Sequence, residues 1–201
     1  DASLGLDVEG HSLGNLIIAA LTQTSGDLMV AIGKMERILR IKGRIIPSTT
    51  AVVDLFAEMK DGSIVAGETN IRDSKIGIKN VFYNQNVSCT EEAKVAISEA
   101  DYIILGIGSL YTSIIPNLIV DGIRESINES SAELIYLSNI MSEDGETDHY
   151  TVFDHIDAIE NHLQGSIDTI VYPSNKIPSH IVHAYAEEQS SIVKFDKEKM
   201  K

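Results

Sequence analysis

The stretch Gly106-Ile107-Gly108-Ser109-Leu110-Tyr111-Thr112-Ser113-Ile114-Ile115-Pro116-Asn117 carries the residue types of an anion cradle. Two glycines let the main chain approach an anion closely, and the hydroxyls of Ser109, Thr112 and Ser113 can donate to its oxygens. Successive amides, Leu110 among them, and a helix start after the loop supply positive potential without a lysine or arginine. The loop is no Walker A sequence, because no Gly-Lys-Ser/Thr follows, and it lacks the third glycine of a dinucleotide fingerprint. A Gly-rich connector that only turns the chain would have the same composition, so the pattern alone leaves both readings open.

Other groups carry weaker signals. In Gly10-His11-Ser12-Leu13-Gly14-Asn15, His11 and Asn15 lie one helical turn apart. They could hold a hydroxyl, a phosphate or a base edge, or simply cap the helix with Ser12. Between Asn139 and His149 the chain is acidic. Glu143, Asp144, Glu146 and Asp148 could hold Mg²⁺ on a diphosphate, with His149 as acid or base. A solvated loop leading into a Thr151-x-x-Asp154 capping box is the simpler account, and no dedicated metal site is expected. His180 and His183 are three apart but lack a third ligand, and His155 and His162 are scattered. Cys89 has no adjacent base, and no G-x-S-x-G elbow anchors a hydrolase triad. The basic stripe Lys34, Arg37, Arg40, Lys42 and Arg44 reads as a solvated helix face.

These residues must be positioned by elements that the second half announces. Tyr102–Leu105, 134–137, 169–172 and 191–195 are short apolar runs, the first expected to be a strand buried on both faces. Between them lie amphipathic stretches over 118–128, 151–163 and 178–188, the last with a proline just inside its start. Four strands alternating with three helices predict a parallel sheet with right-handed crossovers. The Gly106 loop then emerges at the carboxyl end of a parallel strand, where open α/β sheets bind ligands. In the first half, 11–24 and 27–41 read as successive helices, Asp27 capping the second. Residues 44–47 and 53–59 read as strands, and Asp61-Gly62 turns a β-hairpin into 64–68. Residues 70–80 read as an exposed loop, 81–83 as a strand and 90–100 as a helix entered through Glu91-Glu92.

Composition bounds the function classes. The 201 residues are 43% hydrophobic and 23% charged, a globular balance consistent with one domain over 1–201. The formal charge is −14, and residues 101–201 carry 17 acids against 6 bases. Such a surface repels a polyanionic backbone, so nucleic acid is not an expected partner. One cysteine rules out an intramolecular disulfide. No apolar run approaches a membrane span and the start has no signal-peptide pattern, so a soluble cytoplasmic protein is expected.

Taken together, the segments resemble the gluconeogenesis factor family, a branch of the 2-phospho-L-lactate transferase-like superfamily. The resemblance rests on Gly10–Leu16, Gly43–Thr49, Glu58–Ser63, Gly106–Leu118, Gly122–Glu125, Asn139–Met141 and Gly145–Asp148, in unbroken order. It implies a three-layer, Rossmann-like α/β fold: a mostly parallel sheet with flanking helices and a small β-hairpin excursion. It also implies a UDP-sugar ligand, such as UDP-N-acetylglucosamine, and a link to gluconeogenic growth, cell shape and peptidoglycan synthesis. By the same resemblance the Gly106–Asn117 loop contacts the ligand's phosphates, with His11 and Asn15 near it and Asn139 beside it. Relatives open with a strand and a Gly-Gly-Gly-Thr-Gly loop that this sequence does not contain, and often show Gly-Pro-Gly where Gly106-Ile107-Gly108 stands here. The expectation is therefore one wall of a cleft, with weak binding or none. The preferred reading is a non-catalytic regulator, with homo-oligomerisation left open. The alternative is an enzyme of the 2-phospho-L-lactate transferase type, moving a phospho-group from a nucleotide diphosphate donor with Mg²⁺.

Overall fold

A computed structural model of the chain describes residues 13–196, 198 and 199. His11 and the proposed cap Ser12 lie outside the described residues. The chain divides into two compact units, Asp1–Thr50 and Ala51–Lys201.

In the first unit, helix α1 (Leu13–Ser25) contains no charged residue and packs on α2 (Leu28–Leu39). Gly26, at φ +72°, ends α1 in the left-handed region that a side chain resists. Asp27 then caps α2 as the sequence predicts, accepting from the Val30 amide at 2.9 Å. The basic stripe is exposed along α2 and the segment after it. Residues 44–47 form no strand. The Ile45 amide donates to the Glu36 carboxylate at 2.6 Å instead of to a neighbouring strand, and Pro47 has no N–H to offer.

The second unit holds two sheets. The antiparallel one, in order β2-β1-β3, consists of β1 (Leu55–Met59), β2 (Ile64–Ala66) and β3 (Ile78–Tyr83). Its hairpin turns at Gly62 as predicted, and Asp61 accepts from the Ser63 amide and hydroxyl at 2.9 and 2.7 Å. The expected exposed loop over 70–80 is instead helix α3 (Glu68–Asp73) and the start of β3. Two isolated isoleucines, Ile71 and Ile78, are buried and tie this polar stretch down.

The parallel sheet runs β4-β5-β6, from β4 (Tyr102–Leu105), β5 (Glu133–Leu137) and β6 (Thr169–Val171). Before it lies α4 (Glu91–Ser98), capped by Thr90. Its crossovers contain α5 (Ile115–Leu118), α6 (Ile123–Glu129) and α7 (Val152–Leu163), and α8 (Ser179–Glu187) follows β6 with Pro178 at its cap position. The chain is thus mixed α/β, a parallel sheet flanked by helices beside a small antiparallel sheet.

Three details differ from expectation. Residues 118–128 are not one helix. The chain breaks after Leu118 and restarts at Gly122, whose φ of +96° and closeness to Cys89 leave no room for a side chain. Residues 191–195 do not join the sheet. Their main chain bonds to the segment after β5 and to the start of α7, with Val193 N to Ile140 O at 3.0 Å and Val152 N to Lys194 O at 2.9 Å. Strand β4 is also not buried on both faces: it lies at the edge of this sheet, with Tyr102 62% and Ile104 57% exposed while Leu105 is buried.

Candidate functional site

Strand β4 delivers the chain to Gly106 at the carboxyl rim of the parallel sheet, the rim predicted from the strand–helix alternation. The loop 106–109 then winds into one π-helical turn, Leu110–Ile114, in which the Ser113 and Ile114 amides both donate to Ser109 O at 2.9 Å. Leu110, Tyr111, Ile114 and Ile115 bury their side chains and pin the turn to the core. A π turn widens the main-chain ring, a geometry that recurs at functional sites.

Two groups from the segment after β5 hold the loop. Asn139 donates from Nδ2 to Gly108 O at 2.9 Å, while its Oδ1 accepts from the Tyr136 hydroxyl at 3.1 Å. Glu146, only 3% exposed, accepts from the Tyr111 amide at 3.3 Å and the Thr112 hydroxyl at 2.7 Å. The loop is thereby fixed through one carbonyl, one amide and one hydroxyl. Among the described residues, the amides of Gly106, Ile107, Gly108 and Ser109 meet no acceptor.

The glycines add a second observation. Neither has a positive φ, a Cβ added at Gly106 would meet nothing within 4 Å, and one at Gly108 would only touch the Ser113 Cβ at 3.4 Å. Neither backbone strain nor core packing requires glycine at 106. What its bare Cα leaves is open space beside unpaired amides.

Of the predicted residues, Gly106, Gly108, Ser109, Leu110, Thr112, Ser113, Asn117 and Asn139 come together around this loop. Their roles divide. Ser113 is exposed and Ser109 half-buried, whereas the Thr112 hydroxyl is bonded inward to Glu146 and Leu110 can offer only its main chain. Asn117 donates to Ser113 O at 2.8 Å and braces the turn. Asn15 lies on α1 in the first unit, and His11 is outside the described residues. The anchoring role of Glu146 is the functional contact that the sequence reading missed. Its signal was a Glu-Thr pair following the strand next to the loop, read there as part of an acidic, metal-capable run.

The acidic run does not converge. Asp144 pairs with Lys75, just after α3, Asp148 accepts from the Gly145 amide at 3.0 Å, and Glu146 faces the loop. Among the described residues no group of three His, Cys, Asp or Glu could hold a metal ion. These residues do not fit an Mg²⁺ site.

Burial raises Glu146 above the ordinary carboxylate value; the Thr112 hydrogen bond opposes this. Tyr136 is pushed up to about 12 by burial. His155 and His162 sit inside α7 with their Nδ1 atoms against the carbonyls of Thr151 and Ala158 at 2.9 and 2.7 Å. Burial lowers both, which holds them as neutral imidazoles in the packing of α7. A pocket of about 350 Å³ opens beside the loop, lined by Ile107, Asn139, Met141 and Glu143, with Tyr185 and Glu188 from the end of α8. That volume suits a small-molecule fragment, and the adjacent amides can stabilise negative oxygen.

The family model described as 2-phospho-L-lactate transferase CofD matches residues 3–201. The chain belongs to this family. Within it the curated relatives are gluconeogenesis factors, the branch the sequence resembles. That of Bacillus subtilis is 44% identical over 98% of this chain and 63% of its own length, and that of Listeria innocua 40% identical over 88% and 55%. A crystal structure of a UPF0052-family protein from Bacillus halodurans matches with a TM-score of 0.89 and 40% identity, over 95% of this chain and 63% of that one. The chain thus spans less than two thirds of the length of these relatives. No helix among the described residues is long and apolar enough to cross a membrane.

Proposed function

We propose that this chain contributes a nucleotide-sugar site and seats the diphosphate of a UDP-sugar, such as UDP-N-acetylglucosamine, on the amides of Gly106–Ser109. The observation that carries the reading is the set of unpaired amides around the bare Gly106 Cα at the carboxyl rim of the sheet. Amide hydrogen bonds to a charged oxygen contribute roughly 1.5–3 kcal/mol each, so a few suffice for measurable affinity without a cation. The Ser109 and Ser113 hydroxyls add donors, Leu110 and Thr112 supply main chain, and Asn139 and Asn117 hold the loop's shape. His11 and Asn15 are ligand contacts only as the family resemblance implies them.

The role is regulatory, in the cytoplasm, coupling gluconeogenic growth to cell shape and peptidoglycan synthesis. The family model's name favours a second reading, a transferase acting on a nucleotide diphosphate donor. Equilibrium binding of UDP-N-acetylglucosamine to the wild type and to Gly108→Asp tests the proposal. The aspartate carboxylate repels the diphosphate, so binding is lost while circular dichroism is unchanged; full binding by Gly108→Asp contradicts the site. Mass spectrometry of the recovered ligand separates the readings, because a regulator returns it intact and a transferase returns a product.

A further inference from the structure

We propose that Glu146 is the residue that positions the loop 106–113, and that its carboxylate takes up a proton when a diphosphate is seated there. The inference rests on the phosphate-cradle reading and extends it to the groups behind the loop.

The geometry is unusual for an anion site. A carboxylate 3% exposed lies directly behind the turn, one oxygen at 3.3 Å from the Tyr111 amide and the other at 2.7 Å from the Thr112 hydroxyl. These bonds fix the two residues that follow the open amides, so the carboxylate decides where those amides point. It also places a negative charge under a surface meant for another one. Glu146 is itself screened from water, so a second negative charge across the loop makes its ionised form costlier and favours its binding a proton.

The charged groups around Glu146 are few. Arg72 of α3 favours its ionised form, Glu143 of its own segment opposes it, and Tyr111 of the turn is a neutral phenol whose hydroxyl is bonded to Tyr150 at 2.9 Å. His155 of α7 senses Glu143 and is itself held neutral by burial. Burial and Glu143 raise the proton affinity of Glu146, while the Thr112 and Tyr111 hydrogen bonds and Arg72 oppose them, with burial the largest influence. A diphosphate on the far side of the loop raises that affinity further. By linkage, a ligand that raises the proton affinity of a group binds more tightly as that proton becomes available.

Protonated Glu146 keeps both contacts: its carbonyl oxygen accepts from the Tyr111 amide, and its O–H donates to the Thr112 oxygen after that hydroxyl rotates. Glutamine reproduces this state, with Oε1 on the amide and its NH₂ on the hydroxyl oxygen. Alanine removes both contacts.

Two measurements test the proposal. In hydrogen exchange without ligand, Glu146→Ala should speed exchange of the bonded turn amides, Tyr111, Ser113 and Ile114, at least tenfold while Glu146→Gln stays near wild type. Unchanged exchange in Glu146→Ala, or failure of glutamine to rescue it, overturns the positioning role. For the coupling, UDP-N-acetylglucosamine serves as the probe because its diphosphate diester does not titrate near neutrality. Wild-type affinity should rise as pH falls, by up to tenfold per unit within the window between the free and bound states of Glu146. Glu146→Gln should be flatter and should bind more tightly than wild type at the alkaline end. Equal slopes for wild type and Glu146→Gln overturn the coupling while leaving the phosphate site standing. No binding at any pH by wild type or Glu146→Gln contradicts the phosphate reading and the coupling with it, whereas the exchange result judges the positioning role separately.

Discussion

At the scale of single residues, Gly106 separates fold from function. Its φ is not positive and a methyl group there meets no neighbour, so Gly106→Ala is expected to leave the melting temperature unchanged or slightly raised, the usual entropic effect of alanine in permitted backbone. The same methyl occupies the space beside the open amides, and UDP-N-acetylglucosamine affinity should fall at least tenfold. The buried histidines give a pH prediction. Their protonation is disfavoured in the folded chain relative to the ordinary value of 6.5, so the unfolded chain binds more protons as the medium acidifies. The stability they contribute is complete above about pH 6.5 and is lost as pH falls through their lowered values. Urea titrations across pH 7 to 5 should show that loss, and His162→Gln should reduce it. The loop's place was legible in the sequence, because an apolar run before it and a helix start after it put it at a strand's carboxyl end. Its glycines and hydroxyls alone left a cradle and a plain connector both open. The part played by Glu146 was hidden, since an acid in an acidic segment carries no sign that it is buried.

At the scale of elements, the segment from Asn139 to Asp148 links the loop to α3. Gly145 sits at φ +86°, and a Cβ there would overlap the Arg72 carbonyl. Gly145→Ala should therefore destabilise the chain by about 1–3 kcal/mol in urea unfolding, from backbone strain and the displaced α3 contact. On β4 the exposures set a contrast: Leu105→Ala should cost about 2–5 kcal/mol, whereas Ile104→Thr should stay within roughly 0.5 kcal/mol. The strand–helix alternation, the hairpin, the Asp27 cap and the Thr151-x-x-Asp154 capping box were readable because each has a local periodic or capping signature. Residues 191–195 were misread for a physical reason. Their apolar pattern reports burial, and burial against the α7 start looks the same in sequence as burial in a sheet. The 70–80 stretch failed in the opposite sense, because two anchoring isoleucines among polar residues leave no periodicity to detect.

At the scale of the whole molecule, the charge of −14 shapes any anion site. A cationic pocket loses affinity as salt rises, because its attraction is screened. If amides bind the ligand at contact as proposed, the acidic surface repels it from a distance, and salt screens mainly that repulsion. UDP-N-acetylglucosamine binding should therefore hold or tighten between about 20 and 200 mM salt, a range over which the Debye length drops to roughly 7 Å. The central claim is that main-chain amides, not cationic side chains, hold the diphosphate. Amide chemical shifts of the nitrogen-15-labelled chain, followed during titration with millimolar UDP-N-acetylglucosamine, test it most directly and register even weak binding. Gly106, Ile107, Gly108 and Ser109 should move downfield together and saturably, with N-acetylglucosamine alone leaving them in place. If those four amides stay fixed while residues elsewhere respond, the diphosphate is held somewhere else and the account is wrong.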